Sequence, residues 1–330
     1  MKVGYLGAGT WGFALANLLA SNGHEVILWT SREEFADLLR KKRQHPKLPP
    51  CNVDDRLIFT SDMKEALQGA DFVIESVTAT GLRPILEKVI ENGEIQSPFI
   101  LTSKGIEQDT GLLLHEVALD VLGTSHLVGL LSGPSHAEEV IKKLPTSVVS
   151  SSRDKNFMFQ IRDLFTSPFF RVYPNSDING VSFGGATKNI IAIACGISDG
   201  LGFGDNTKAA LMTRGLHEIR KLSVTKNCSP ETLNGLAGLG DLCVTCLSIL
   251  SRNYKFGRLL AEGLTPKEAR EKIGMVVEGI YTCVSARQLG EKYDIPVPIT
   301  EAIYSIIYED LSPIDAVKSL LQRAIKEEHL

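Results

Sequence analysis

The sequence predicts an α/β N-terminal domain built on a parallel, doubly wound sheet, followed by an all-α C-terminal domain. Three observations predict it. Short β-branched runs alternate with helical patterns through the first half. A glycine-rich turn joins the first such run to the first helical pattern. Beyond residue 178 the strand-like runs stop and helical periodicity takes over. At 330 residues the chain is long enough for two domains. The turn-rich stretch Pro174–Asp177 sets the boundary, giving domains 1–178 and 179–330.

Taken in order, the expected strands are Val3–Leu6, Glu25–Trp29, Phe72–Val77, Phe99–Thr102, Leu127–Leu131, Ser147–Ser150 and Phe169–Tyr173. Helical spacing falls between most of them, at Trp11–Ser21, Ser61–Gln68, Leu82–Glu91 and Gly111–Leu122. Lys41–Pro50 is basic and proline-rich and reads as a solvated connection. In the second half, Val181–Ser198, Asn206–Val224, Thr265–Ile273 and Ile299–Asp310 carry helical spacing.

Composition excludes several classes. A net charge of −4 and no basic stripe give no bulk attraction to nucleic acid. No uncharged apolar run approaches the roughly 20 residues that span a bilayer, so no membrane span is expected. The N-terminus, "MKVGYLGAG", reads as a strand and a turn, without the core of a signal peptide. Six cysteines in so long a chain make no disulfide framework and point to reduced thiols. "CVTC" (Cys243–Cys246) lacks the second ligand pair that zinc requires, so no metal site is expected and both cysteines read as apolar filler.

The glycine turn carries the clearest chemistry. Gly7, Gly9 and Gly12 form G-x-G-x-x-G between a strand and a helix, with a second strand after them. Gly7 permits the tight turn, Gly9 lets a pyrophosphate approach the backbone, and Gly12 lets helix and strand pack closely. The helix N-terminus then faces the phosphates. This makes the first domain a Rossmann-type dinucleotide-binding unit. The second strand ends in Thr30, Ser31 and Arg32, where an NAD site carries an acidic residue. A hydroxyl and a guanidinium suit a 2′-phosphate, so NADPH is the expected cofactor, with NADH tolerated.

In "GVSFGGATKNIIAIACGISDGLG", Lys188 stands with Asn189 at the mouth of a long apolar run. A buried ammonium needs a negative partner. Lys104 stands just past a strand end, at the edge where doubly wound sheets bind ligands. Asp241, Thr245, Ser251, Arg252 and Asn253 cluster in "LAGLGDLCVTCLSILSRN". Hydride transfer to a carbonyl needs a proton donor and positive charge beside the oxygen. Lys188, balanced by Asp241, supplies both, and Arg252 with Asn253 suits an anionic group such as phosphate. Spacing alone does not bring these segments together.

Seven motifs, in order, resemble the bacterial NAD(P)-dependent glycerol-3-phosphate dehydrogenases: "GAGTWGFALA", "TSKGIE", "LSGPSHAEEV", "GGATKNIIAIACGISDGLGFGDNTKAAL" with "TRG", "LAGLGDL", "SRN" and "GMVVEG". The resemblance spans almost the whole chain. It implies NAD(P)H-dependent reduction of dihydroxyacetone phosphate to sn-glycerol 3-phosphate for phospholipid synthesis, by a cytoplasmic, commonly dimeric enzyme. Carried over by motif, Lys188 is general acid in reduction and general base in oxidation. Lys104 contacts substrate and cofactor. Gly133 and Ser135 touch substrate, and Ala137 touches cofactor. Asp241, Ser251, Arg252 and Asn253 complete the substrate site, and Arg252 also reaches the cofactor. Thr10 and Trp11, with Ser31 or Arg32, and then Val276 and Glu278, line the cofactor. The chain departs from the family at "ESVTATGLR" (Glu75–Arg83), which replaces the more usual V-P-[ST]. Two other readings share this architecture: a dehydrogenase of hydroxy or sugar acids, and a nucleotide sensor without turnover.

Overall fold

The first strand, β1 (Lys2–Leu6), is buried along nearly its whole length, as a strand in mid-sheet must be. The computed structural model describes residues 1–93, 95–325 and 327–328. Two units are present. One comprises Met1–Lys104 and Leu114–Ile178, the other Gly105–Leu113 and Asn179–Leu330.

In the first unit the chain runs β1, α1 (Thr10–Ser21), β2 (Glu25–Trp29), α2 (Glu33–Lys42), β3 (Leu57–Thr60), α3 (Met63–Leu67) and β4 (Phe72–Glu75). It continues through α4 (Leu82–Glu91), β5 (Phe99–Leu101), α5 (Leu114–Leu122), β6 (Val128–Ser132), α6 (Ala137–Val140), β7 (Thr146–Ser152), α7 (Lys155–Phe165) and β8 (Phe170–Pro174). The eight strands form one sheet in the order β3-β2-β1-β4-β5-β6-β7-β8. Order reverses direction beside β1, which creates the crevice where such sheets bind ligands.

The sheet is parallel except at β6 and β7, which pair antiparallel. Their connection holds only the four-residue α6. With no full-length crossover helix between them, β7 returns beside β6 in the opposite direction. The edge strand β3 escaped the sequence reading, because four residues after a charged loop show little periodicity. Strand β4 stops at Glu75, not Val77: the Val77 amide donates to the Glu75 side chain at 2.9 Å and leaves the ladder.

Apart from Gly105–Leu113 and the connecting loops, the described residues of the second unit are helical. Its helices are α8 (Ile178–Gly200), α9 (Asp205–Ser223), α10 (Pro230–Leu233), α11 (Asp241–Leu247), α12 (Arg252–Ala261), α13 (Pro266–Ile273), α14 (Glu278–Tyr293), α15 (Pro298–Tyr308) and α16 (Pro313–Leu321). Helix α8 is apolar on all sides because it is the core helix, and it is long and apolar enough to cross a membrane by those measures alone. Ile106 and Leu113, from the segment between β5 and α5, join this core, and the Ser285 hydroxyl donates to the Ile106 carbonyl at 2.9 Å. That segment fell within 1–178 in the sequence reading; its apolar side chains are buried among the helices.

The stretch Lys41–Pro50 is only in part the solvated connection expected from its charge: its lysines are exposed, but two of its side chains are buried. Lys41 and Lys42 end α2, and His45 and Leu48 are buried. The His45 ring packs 5.5 Å from the Phe13 ring and 5.6 Å from that of Phe35. Its Nδ1 accepts from the Lys47 amide at 3.2 Å, so the proton sits on Nε2, and the ring donates to the Ala8 carbonyl in the glycine turn. Burial pushes its pKa down to about 4, from an ordinary 6.5. Between those values the unfolded chain takes up a proton at this residue and the folded chain does not. Stability therefore falls as pH drops from 6.5 and levels off below about 4. Urea midpoints measured across that window should fall less steeply for His45→Gln than for the wild type.

Candidate active site

The glycine turn holds its shape through two close approaches. Gly7 has φ +109°, and a Cβ there would lie 2.7 Å from the Ser76 carbonyl oxygen. A Cβ at Gly12 would lie 2.0 Å from the Gly7 carbonyl oxygen, so α1 can start this close to β1 only with glycine. Gly9 differs: open space lies where its Cβ would be. That space, at the N-terminus of α1, fits a pyrophosphate against the backbone. Thr10 and Trp11 form the first residues of α1, with Trp11 partly packed on the core beneath. At the end of β2, Ser31 and Arg32 are exposed, and the Arg32 guanidinium lies 4.9 Å over the Phe35 ring. The residues present therefore suit a dinucleotide, with a cation at the ribose end.

Farther along the same edge, the Lys104 ammonium donates to the Gly133 carbonyl at 2.9 Å and to the Ser135 hydroxyl at 3.1 Å. The Ser135 hydroxyl also lies 2.8 Å from that carbonyl. Three of the expected site residues are thus brought together. Ala137 opens α6 and is buried.

In the second unit Lys188 lies at the middle of α8, not at its mouth, because the helix begins at Ile178. Gly184 lies inside the helix, where a Cβ would meet the Ala237 carbonyl oxygen at 2.8 Å. Lys188 is 7% exposed and Asp241 is wholly buried. The ammonium bonds the Asp241 carboxylate and donates to the Thr245 hydroxyl at 2.7 Å. That hydroxyl in turn donates to the Asp241 carbonyl at 2.6 Å. Asp241 is the first residue of α11, which continues without a break from a π-helical turn over Leu236–Gly240.

The "SRN" residues divide by role. Ser251 caps α12, accepting from the Tyr254 amide at 3.2 Å. The Asn253 amide donates to Asn189 Oδ1 at 2.9 Å and accepts from the Gly279 amide at 2.9 Å. It thus ties α8, α12 and α14 around Lys188. Arg252 donates to the Val276 carbonyl at 2.9 Å, which brings two expected cofactor residues together, with Glu278 opening α14 two residues on. Cys246 is buried in the core and Cys243 half-buried, as apolar filler would be; hydrogen bonding to Cys195 and burial push the Cys246 thiol far up. No group of metal-ligating side chains occurs among the described residues. Sequence reasoning missed Glu75, Tyr5 and His45, all buried polar groups under the glycine turn or the sheet edge. The one available signal was a glutamate ending an otherwise apolar strand, "FVIE".

Two family profiles match the chain: NAD-dependent glycerol-3-phosphate dehydrogenase N-terminus over residues 2–158, and the C-terminus of the same family over 177–318. The chain belongs to this family. It is 57% identical over 331 residues to the glycerol-3-phosphate dehydrogenase [NAD(P)+] of Protochlamydia amoebophila, covering 100% of this chain and 99% of that one. It is 54% identical to the protein of the same name from Chlamydia muridarum, covering 99% of each. Among solved structures, the glycerol-3-phosphate dehydrogenase of Coxiella burnetii superposes with a TM-score of 0.92 at 38% identity, over 98% of this chain and 99% of that one. Family membership gives the buried lysine its context. Removing one partner of a buried ion pair strands the other's charge, so Asp241→Ala should lower stability by about 3–5 kcal/mol in urea unfolding.

Proposed function

We propose that this chain catalyses the reversible reduction of dihydroxyacetone phosphate to sn-glycerol 3-phosphate. The observation that carries the proposal is Lys188, an ammonium buried in a family dehydrogenase and oriented by Asp241 and Thr245. A bound NADPH or NADH supplies the hydride. Lys188 Nζ gives a proton to the ketone oxygen as that oxygen gains charge, and takes it back in the oxidative direction. Asp241 balances the lysine's charge and fixes its direction. Lys104, with Gly133 and Ser135, and Arg252, with Ser251 and Asn253, bind the phosphorylated substrate. Gly7, Gly9, Thr10, Trp11, Gly12, Ala137, Val276 and Glu278 hold the dinucleotide.

Ser31 and the Arg32 guanidinium at the end of β2 support a preference for the 2′-phosphate of NADPH. The product serves phospholipid synthesis. Six free cysteines support a reducing cytoplasmic setting, and a homodimer is the assembly we propose.

The test is the loss of nicotinamide absorbance with dihydroxyacetone phosphate, run with NADPH and with NADH. Turnover with both, faster with NADPH, is the expected result; no turnover with either removes the proposal. Lys188→Ala should abolish turnover while NADPH affinity stays within about threefold of wild type, since the residue acts on the oxygen and not on the nucleotide. Arg252→Ala should raise KM for the phosphorylated ketone by about tenfold or more, the usual scale for a lost charged hydrogen bond.

A further inference from the structure

Lys104 stands in no regular element. Strand β5 ends at Leu101, and the ammonium extends from the loop that follows. That loop is held from below by one side chain. Glu75, the last residue of β4, is 0% exposed. Its Oε1 accepts from the Thr102 amide at 3.1 Å, the Ser103 amide at 3.2 Å and the Ser103 hydroxyl at 2.6 Å. Its Oε2 accepts from the Val77 amide at 2.9 Å. The Thr102 hydroxyl donates to the carbonyl of Glu75 itself at 2.7 Å. Ser76, one residue on, joins its hydroxyl to those of Thr102 and Tyr5, the latter at 2.8 Å.

The chemistry of the site calls for a carboxylate. Four donors converge on one side chain, and only an ionised carboxyl offers that many acceptor positions with no donor of its own. Burial pushes the Glu75 carboxyl above its ordinary range, and the Ser103, Val77 and Thr102 donors offset that only in part. Two turns at the ligand-binding edge of the sheet, after β4 and after β5, are thereby fastened to one group. One carries Ser76, against which Gly7 and Gly12 pack, and the other carries Lys104.

We propose that Glu75 is a positioning residue: its carboxylate fixes the backbone through Ser103 and so aims the Lys104 ammonium at the substrate and cofactor. This rests on the role given to Lys104 in the proposed function. Glu75 is wholly buried and acts through Ser103.

Glutamine keeps the shape of Glu75 but turns an amide donor toward either the Val77 amide or the Ser103 groups. Glu75→Gln should lower kcat/KM for dihydroxyacetone phosphate about tenfold in protein still folded at the assay temperature. Ser103→Ala removes a single donor and should lower it about threefold. Both effects should vanish in a Lys104→Ala background, because the three residues act in one chain. A merely structural role would lower the thermal midpoint and leave kcat/KM of the folded fraction unchanged, which overturns the proposal. Losses that multiply with that of Lys104→Ala overturn it too, while the role of Lys104 stands. Should Lys104→Ala cost nothing, that role fails and the positioning role fails with it. If Glu75→Gln does not fold, the Ser103→Ala and Lys104→Ala pair decides by the same criteria.

Discussion

The Lys188–Asp241 ion pair is the interaction around which the second unit is arranged. Its two groups lie in an apolar core, where each alone would be costly. A pair of this kind contributes little net stability and makes strict demands on its surroundings. Here those demands fall on a buried helical turn that presents Asp241, a hydroxyl at Thr245 one turn later, and an amide bridge from Asn253 to Asn189 beside the lysine. Helices α8, α11, α12 and α14 each contribute one part. An active amine needs such a frame, because an ammonium free to reach water would lose both its direction and its dry setting.

The first unit meets the same constraint with different groups. Its sheet edge must stay polar enough to receive a dinucleotide, yet the strand ends beneath are wholly buried. Tyr5, Ser76, Thr102, Ser103 and Glu75 satisfy one another in a continuous network. His45 donates to the Ala8 carbonyl in the glycine turn. A network of this kind is rigid only when complete, so each member constrains its neighbours.

Much of this was legible in the residues. The G-x-G-x-x-G turn carries its own structural logic, and the change from strand to helical periodicity is strong over long segments. What was not legible depends on tertiary contact. Lys188 reads as standing at the mouth of an apolar run, yet the helix begins at Ile178, and at Gly184 within it neighbouring backbone comes too close for a Cβ. The antiparallel pairing of β7 shows only in the sheet register, and the burial of His45 depends on aromatic rings from α1 and α2. The lysine, aspartate and "SRN" residues could be named from their types and from family resemblance. Ser251 as a cap and Asn253 as a bridge emerge only from coordinates.

The segment Gly105–Leu113 carries a consequence for how the molecule is made. It leaves the ribosome well before residues 179–330, yet Ile106 and Leu113 are buried in the core those later residues form. The helical half of the sequence, synthesised by itself, would lack two of its own interior side chains and the acceptor for Ser285. Nascent chains must therefore keep this stretch unsettled until translation is nearly finished. A gene split at residue 178 would yield a second fragment with a hole in it.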